Sequence, residues 1–203
     1  MLLDDPGCSV VPVVRQFASL AVLARREYPA GWRVASFQDT KELATALTGC
    51  QACVHAAIGD AAQISRMATV AYQACAQAGV KRLVWLSSAS VHGQNPSMDT
   101  DESTPLHDQH PLIYNNAKVR AEWALEKLQQ DGQVEVVRLR PSVVFGPRSR
   151  WIADAAKELI EDRAAWIDGG SAICNSIYVD NLVHAIQQSM TMQDAVGHAF
   201  LLG

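Results

Sequence analysis

Apolar positions along the chain alternate between two rhythms. Ser9–Val14 is a valine-rich strand with Pro12 inside it, and proline is tolerated mainly at sheet edges. Gln16–Glu27 reads as a helix, closed by Pro29 and Gly31. Arg33–Phe37 is a short strand. A helix capped by Asp39 or Thr40 then runs to Thr48 and stops at Gly49. Gln51–Ala57 is a buried strand. From Asp60, the residues Ile64, Met67, Ala71, Ala74, Cys75 and Ala78 recur at helical spacing until Gly79. Lys81–Ser87 is the next strand, followed by a loop with few apolar residues over 90–111. Leu112–Gln130 is a helix, Val134–Leu139 a strand, and Ser142–Phe145 an extended piece broken by Gly146-Pro147. Trp151–Asp162 and Asn181–Met192 read as helices, and Phe200–Leu202 as the start of a last strand.

Strands alternating with helices of ten or more residues predict an α/β fold. The expected form is a Rossmann-like parallel sheet with helices on both faces. Ligands of such sheets sit at the carboxyl ends of the strands, so chemistry is sought there. The 90–111 loop is long enough to be functional.

Composition narrows the classes. In 203 residues there are 17 basic and 21 acidic side chains, a net charge of −4, and the pI is near 5.8. No basic footprint for nucleic acid is present. A hydrophobic fraction of 49% excludes a disordered chain. No apolar run reaches the ~20 residues of a membrane span, and the start lacks the basic and apolar regions of a signal peptide. Cytoplasmic placement is the expectation. The five cysteines form an odd set, which points to free thiols. Cys50 and Cys53 form one C-x-x-C that leads into a strand and has no second ligand pair. Buried structural thiols are expected there, and no metal site.

The chemistry-bearing residues follow strands. Tyr114-Asn-Asn-Ala-Lys118 puts a phenol and an ammonium on one helix face. A cation there would favour phenolate, so Tyr114 is expected to lose its proton far below the ordinary value of about 10 and to accept a proton from an alcohol. Read alone, this spacing is common by chance and describes a solvated helix pair far more often. Leu86-Ser-Ser-Ala-Ser-Val-His-Gly93 follows one strand and Arg140-Pro-Ser-Val-Val-Phe-Gly-Pro147 the next. Ile177-Tyr-Val-Asp-Asn-Leu182 opens the late helix.

In this order these motifs, with Val54-His-Ala-Ala57, resemble the extended short-chain dehydrogenase/reductase family of NAD(P)-dependent epimerases, dehydratases and reductases. The resemblance runs from about Cys8 to Gly203. It implies Tyr114 as catalytic acid/base, Lys118 as the residue that lowers its pKa and holds the nicotinamide ribose, and Ser88 as hydrogen-bond partner of the reacting oxygen. Ser90 and His92 are implied substrate contacts, although many members have tyrosine where His92 stands. Arg15, Ala57, Ser87, Pro141 and Ser142 are implied at the cofactor. For Ser87, a buried hydroxyl bonded to backbone is the structural alternative. Arg15 favours NADP over NAD, because arginine accommodates a 2′-phosphate. Ser36 stands where many relatives carry an aspartate, and Asn116 is read as helix surface.

Dehydratases of this family carry Asp-Glu after the catalytic Ser or Thr. Here Ala89-Ser90 follows, which favours nucleotide-sugar epimerisation or simple alcohol/carbonyl redox. No G-x-x-G-x-x-G can be built from Gly7, Gly31, Gly49 and Gly59. Leu2–Gly7 resembles the end of the family's first helix, so one βα unit of ~20–30 residues is expected to be lacking, together with a C-terminal part. That loss leaves either a gap between the Ser9–Arg15 and Gln51–Ala57 strands or their direct pairing. The expected organisation is an incomplete dinucleotide-binding domain over 1–145 and a partial substrate lobe over 146–203. Homodimer pairing through the 60–78 and 112–130 helices is implied, with Ala117, Ala121, Ala124, Leu125 and Leu128 as the apolar stripe; an ordinary intrachain core explains that stripe equally well. Two readings stay open: an oxidoreductase or epimerase acting on a small molecule such as a nucleotide sugar, impaired in this chain, or a non-catalytic Rossmann-like module.

Overall fold

The computed structural model describes residues 8–19, 31–165, 167–171 and 173–203. Its strands are β1 (Val13–Val14), β2 (Arg33–Val34), β3 (Ala52–His55), β4 (Arg82–Leu86), β5 (Glu135–Pro141), β6 (Val143–Phe145), β7 (Ser176–Tyr178) and β8 (Ala199–Leu202). Its α-helices are α1 (Thr40–Leu47), α2 (Ala61–Ala78), α3 (Ile113–Leu128), α4 (Arg150–Ile160) and α5 (Val179–Thr191). Most of the expected Gln16–Glu27 helix lies outside the described residues. Phe17–Ser19 forms a 3-10 turn.

Local chemistry explains the helix ends. Asp39 caps α1, its carboxylate accepting the Lys41 and Glu42 amides at 2.8 and 2.9 Å. Asp60 caps α2, and Gly79 ends it in the left-handed conformation, with φ +72°, which glycine adopts without a Cβ penalty.

The central sheet is fully parallel, in the order β3-β4-β5-β8. Alternation along its strands feeds two cores. Cys53, Leu83, Trp85 and Val136 face α1, α2 and α3, burying Leu43, Ile64, Met67, Ala71, Cys75, Ala121 and Leu125. Val84, Val137 and Leu139 face the other way, onto Ile177 of β7 and Leu182 and Ile186 of α5. Each such aliphatic side chain contributes ~1.5–3 kcal/mol on burial. Helices on both faces thus agree with the sequence pattern. β8 and α5, within the expected 146–203 lobe, pack on this same sheet. α4 stands apart, with Trp151, Ile152, Leu159 and Ile160 exposed.

Three features correct the sequence reading. The sheet is not continuous: β1 pairs with β2, and β6 with β7, as separate two-stranded parallel pieces. No ladder joins β1 to β3 among the described residues, so a gap rather than direct pairing separates them. Pro12 sits just before the first paired residue of β1, where its carbonyl accepts the Arg33 amide at 2.9 Å and its missing N–H costs little. Second, the small-residue stripe of α3 belongs to the intrachain core. Ala117, Ala121 and Leu125 are buried against α2, and Leu128 packs on the same cluster. Third, the cysteines are free but not uniformly buried. Cys53 and Cys75 are buried, Cys8 and Cys50 half-buried, and Cys174 exposed. Among the described residues, no helix is long and apolar enough to cross a membrane.

One ion pair pins α3 to β5. Glu122 and Arg140 are 99% and 96% buried, so each needs the other to offset desolvation. Arg140 Nη2 donates to Glu122 Oε2 at 2.7 Å, and Nε donates to both carboxylate oxygens at 3.1 and 3.2 Å. The same carboxylate accepts the Ser87 hydroxyl. Glu122→Leu leaves Arg140 buried and unpaired. Urea unfolding is expected to show a loss of about 3–5 kcal/mol, with much of it recovered in Glu122→Leu/Arg140→Met.

His55 makes acid a second stress. Its ring stacks on Trp85 at 4.5 Å and meets Phe37 edge-on at 5.9 Å. Burial first, and the Lys118 charge second, lower its pKa from 6.5 to about 4. The unfolded chain takes up the proton near 6.5 and the folded chain does not. Stability from this group is therefore complete above pH 6.5 and is lost as pH falls toward 4. At 1.36 kcal/mol per pH unit this amounts to about 3 kcal/mol. Urea midpoints measured between pH 7 and 4 should fall less steeply in His55→Phe than in the parent chain.

Candidate active site

β4 ends at Leu86, and the chain turns at once into a 3-10 turn, Ala89–His92, capped by Ser88. α3 begins beside it, with Tyr114, Lys118 and Glu122 spaced by four residues on one face. This face holds the turn at three successive levels. Tyr114 stands beside Ser88, whose hydroxyl favours ionisation of the phenol. Lys118 Nζ donates to the Leu86 carbonyl at 2.7 Å. Glu122 accepts the Ser87 hydroxyl.

The hydroxyls form a chain. Ser90 Oγ and the Ser90 amide both donate to Ser88 Oγ, at 2.9 and 3.2 Å. The Ser88 hydroxyl favours the Tyr114 phenolate, but burial acts more strongly, and the Tyr114 phenol sits above its ordinary pKa. This corrects the expected depression. The Lys118 ammonium lies over the Tyr114 ring at 5.8 Å and the Trp85 ring at 5.3 Å and directs a proton to a backbone carbonyl. The i, i+4 spacing put both groups on one face without setting where the ammonium points. Lys118 itself is 96% buried, and burial lowers its pKa to about 8 despite the nearby Glu122.

Two residues expected at ligands have partners within the protein. Ser87 uses its hydroxyl proton on Glu122, a side chain rather than the backbone. His92 accepts at Nε2 from Arg140 Nη1 at 3.1 Å, because guanidinium can only donate. Burial and then the Arg140 charge keep His92 below its usual pKa.

The other expected residues share the carboxyl edge without bonding to this cluster. Ala57, just past β3, is half-buried against the helical core. Pro141 closes β5 and is buried. Ser142 gives its amide to Leu202 at 2.9 Å, and its hydroxyl is buried with no partner. Arg15 is exposed just beyond β1, on the piece not joined to the main sheet.

Sequence reasoning missed Glu122, Arg140 and Asn116. Glu122 was visible as the third member of the four-residue spacing that begins at Tyr114. Asn116 is not idle surface: its amide side chain exchanges two hydrogen bonds with the His110 backbone, at 2.7 and 2.8 Å. His110 in turn donates from Nε2 to the Val91 carbonyl at 3.0 Å. A Cβ on Gly93 would stand 3.3 Å from the His110 ring, and the φ of Gly93 is +93°, so both space and backbone call for glycine. Together these contacts close the 93–111 loop over the site.

Residues 34–203 match the model of the 3-beta hydroxysteroid dehydrogenase/isomerase family. Among curated proteins, a 3beta-hydroxysteroid-dehydrogenase/decarboxylase of Arabidopsis thaliana is 32% identical over 116 residues, covering 55% of this chain and 26% of that protein. A UDP-glucose 4-epimerase of Vibrio cholerae is 29% identical over 132 residues, covering 61% and 38%. The chain thus spans well under half the length of these curated relatives. Among solved structures, a dTDP-glucose 4,6-dehydratase of Streptomyces venezuelae with NAD bound superposes with a TM-score of 0.82 at 19% identity, covering 100% of this chain and 68% of that one. A UDP-glucose 4-epimerase of Thermotoga maritima gives 0.81 at 21%, covering 99% and 71%. These two likenesses establish the Rossmann-like fold. The chain belongs to the 3-beta hydroxysteroid dehydrogenase/isomerase family, within the extended short-chain dehydrogenases/reductases.

Proposed function

We propose that this chain carries the acid/base half of an NAD(P)-dependent alcohol/carbonyl oxidoreductase or epimerase centre. The observation that carries the reading is the placement of Tyr114 beside the bonded Ser88 and Ser90 hydroxyls, with the buried Lys118 ammonium over its ring. A bound nicotinamide dinucleotide would supply the acceptor or donor of hydride at the substrate carbon. The residues suit its nicotinamide end: the unpartnered, buried Ser142 hydroxyl lies next to Pro141 at the end of β5. Lys118 would hold the ribose and Ser142 the carboxamide.

The protein's own part is proton handling. With its pKa raised, Tyr114 rests as a neutral phenol and is a proton donor to a carbonyl oxygen at neutral pH. Ser88 bonds the same oxygen, and Ser90 follows it as the next hydroxyl outward. In the reverse direction Tyr114 must first ionise, which the Lys118 charge supports below pH 8. The substrate class is a secondary alcohol or its ketone. Nucleotide sugars and 3-hydroxysteroids both meet that description, and relatives named for each are similar to this chain.

A second reading is favoured by one observation. Among the described residues β1 is not laddered to β3, and they present no glycine-rich turn that would seat a pyrophosphate beside those strands. On that reading the chain is a Rossmann-like binding module that retains the proton-transfer residues. Fluorescence titration separates the two. With NADPH or NADH, binding weaker than micromolar is expected for this chain, and micromolar binding overturns the module reading. Where turnover is detected, Tyr114→Phe should reduce it by about 10²–10⁴-fold with little change in affinity. Equal activity in the mutant sinks the assignment of Tyr114.

The resting state of Tyr114 can be read without cofactor. The ultraviolet titration difference between the parent chain and Tyr114→Phe should place its ionisation above pH 10. A midpoint below 9 would contradict the neutral-phenol resting state.

A further inference from the structure

A cavity of about 370 Å³ opens between α3, the 93–111 loop and the β5–β8 edge. Ser88, Tyr114 and Lys118 are not in its wall, so it is distinct from the candidate active site. The size falls within the usual range of small-ligand pockets.

Arg138 lies in its wall and is 92% buried. Among the described residues, its side chain makes one hydrogen bond, from Nη2 to the Gly197 carbonyl at 2.6 Å. Its Nε is buried without a partner, and it forms no ion pair among the described residues. Arg140, two residues on and on the same face, shows the contrast: Glu122 neutralises it with three bonds.

The acids around the cavity do not compensate Arg138. Glu122 is committed to Arg140 and Ser87. Glu102 accepts the Leu201 amide at 2.8 Å. Glu126 is exposed. A buried guanidinium with unused donors and no counter-charge is an unfinished interaction. Its planar fork matches paired oxygens. Trp123, half-exposed in the wall, offers a flat apolar side.

We propose that this cavity binds a small oxyanion, a carboxylate or a phosphate, through the guanidinium of Arg138, whose donors are not all used within the protein. The site adjoins the Arg140–Glu122 pair and so lies one side chain from the residues that hold His92 and Ser87.

The test titrates the whole 203-residue chain with sodium phosphate and, separately, with succinate, at constant ionic strength set by chloride. One of the two should saturate below about 20 mM, shifting the Arg138 Nε–H resonance and changing a tryptophan emission that Trp123→Phe removes. The arm that saturates identifies the ligand as phosphate or carboxylate. Arg138→Gln should weaken it at least about tenfold, with Arg138→Lys between. No saturation in either arm overturns the proposal, as does undiminished binding in Arg138→Gln. A response that appears only in Glu126→Gln also overturns it, since Glu126 would then be the partner of Arg138. Should Arg138→Gln not fold, the Arg138 resonance of the parent chain decides, and its failure to move at saturation overturns the site.

Discussion

The Glu122 carboxylate is the point on which the site's geometry depends. It is nearly fully buried, so its charge is tolerable only with the Arg140 guanidinium across it and the Ser87 hydroxyl beside it. Those partners come from α3, β5 and the end of β4. Meeting at one carboxylate, they fix the helix against two strands at the level where the Ser88 turn begins. Arg140 then reaches past the pair to His92 and to the Glu102 carbonyl at 3.3 Å, which ties the start and the middle of the loop to β5. The alignment of Tyr114 with Ser88 follows from this, because Tyr114 stands two helical turns from Glu122 on the same face.

Parallel topology does the remaining positioning. Every expected site residue outside α3 lies at or just past the carboxyl end of a strand, as open α/β sheets require. The two ends of that edge are unequal. On β4 and β5, strand pairing is continuous and the hydroxyl series is locked by short bonds. At β3 the four-stranded sheet stops, and Arg15 stands on a separate two-stranded piece. The groups proposed for proton transfer thus sit beside continuous ladders, while among the described residues no ladder registers the groups expected near the adenosine end to them.

How much of this the sequence discloses depends on the range of the interaction. Helix caps at Asp39, Asp60 and Gly79 and the apolar face of α2 are local, and they read correctly from spacing alone. The ordered motifs locate Ser88, Tyr114 and Lys118. What sequence does not show is whatever needs the third dimension. Of the two readings open for the alanine face of α3, the structure shows the intrachain one, with α2 of the same chain against it. Ser87 and His92 carry partners inside the protein, a buried glutamate and its arginine, that spacing does not reveal. Helical spacing also brings Lys118 to the side of Tyr114 without showing that the Leu86 carbonyl captures the ammonium. Charge effects on a pKa depend on where the proton points, and sequence distance does not carry that.

The electrostatic state of the free site follows from burial more than from charge pairing. Desolvation raises the phenol and lowers the ammonium, so Tyr114 and Lys118, whose ordinary pKa values lie within a unit of one another, are pulled apart. Both shifts favour the neutral form of each group, so the free site resists holding a phenolate. The Ser88 hydroxyl works against burial, favouring the charged form of the Tyr114 phenol. Ser90 fixes the place of Ser88 by donating to it from both its amide and its hydroxyl. The serine turn is therefore held by its own hydrogen bonds, and the phenol beside it keeps its proton because burial outweighs that influence.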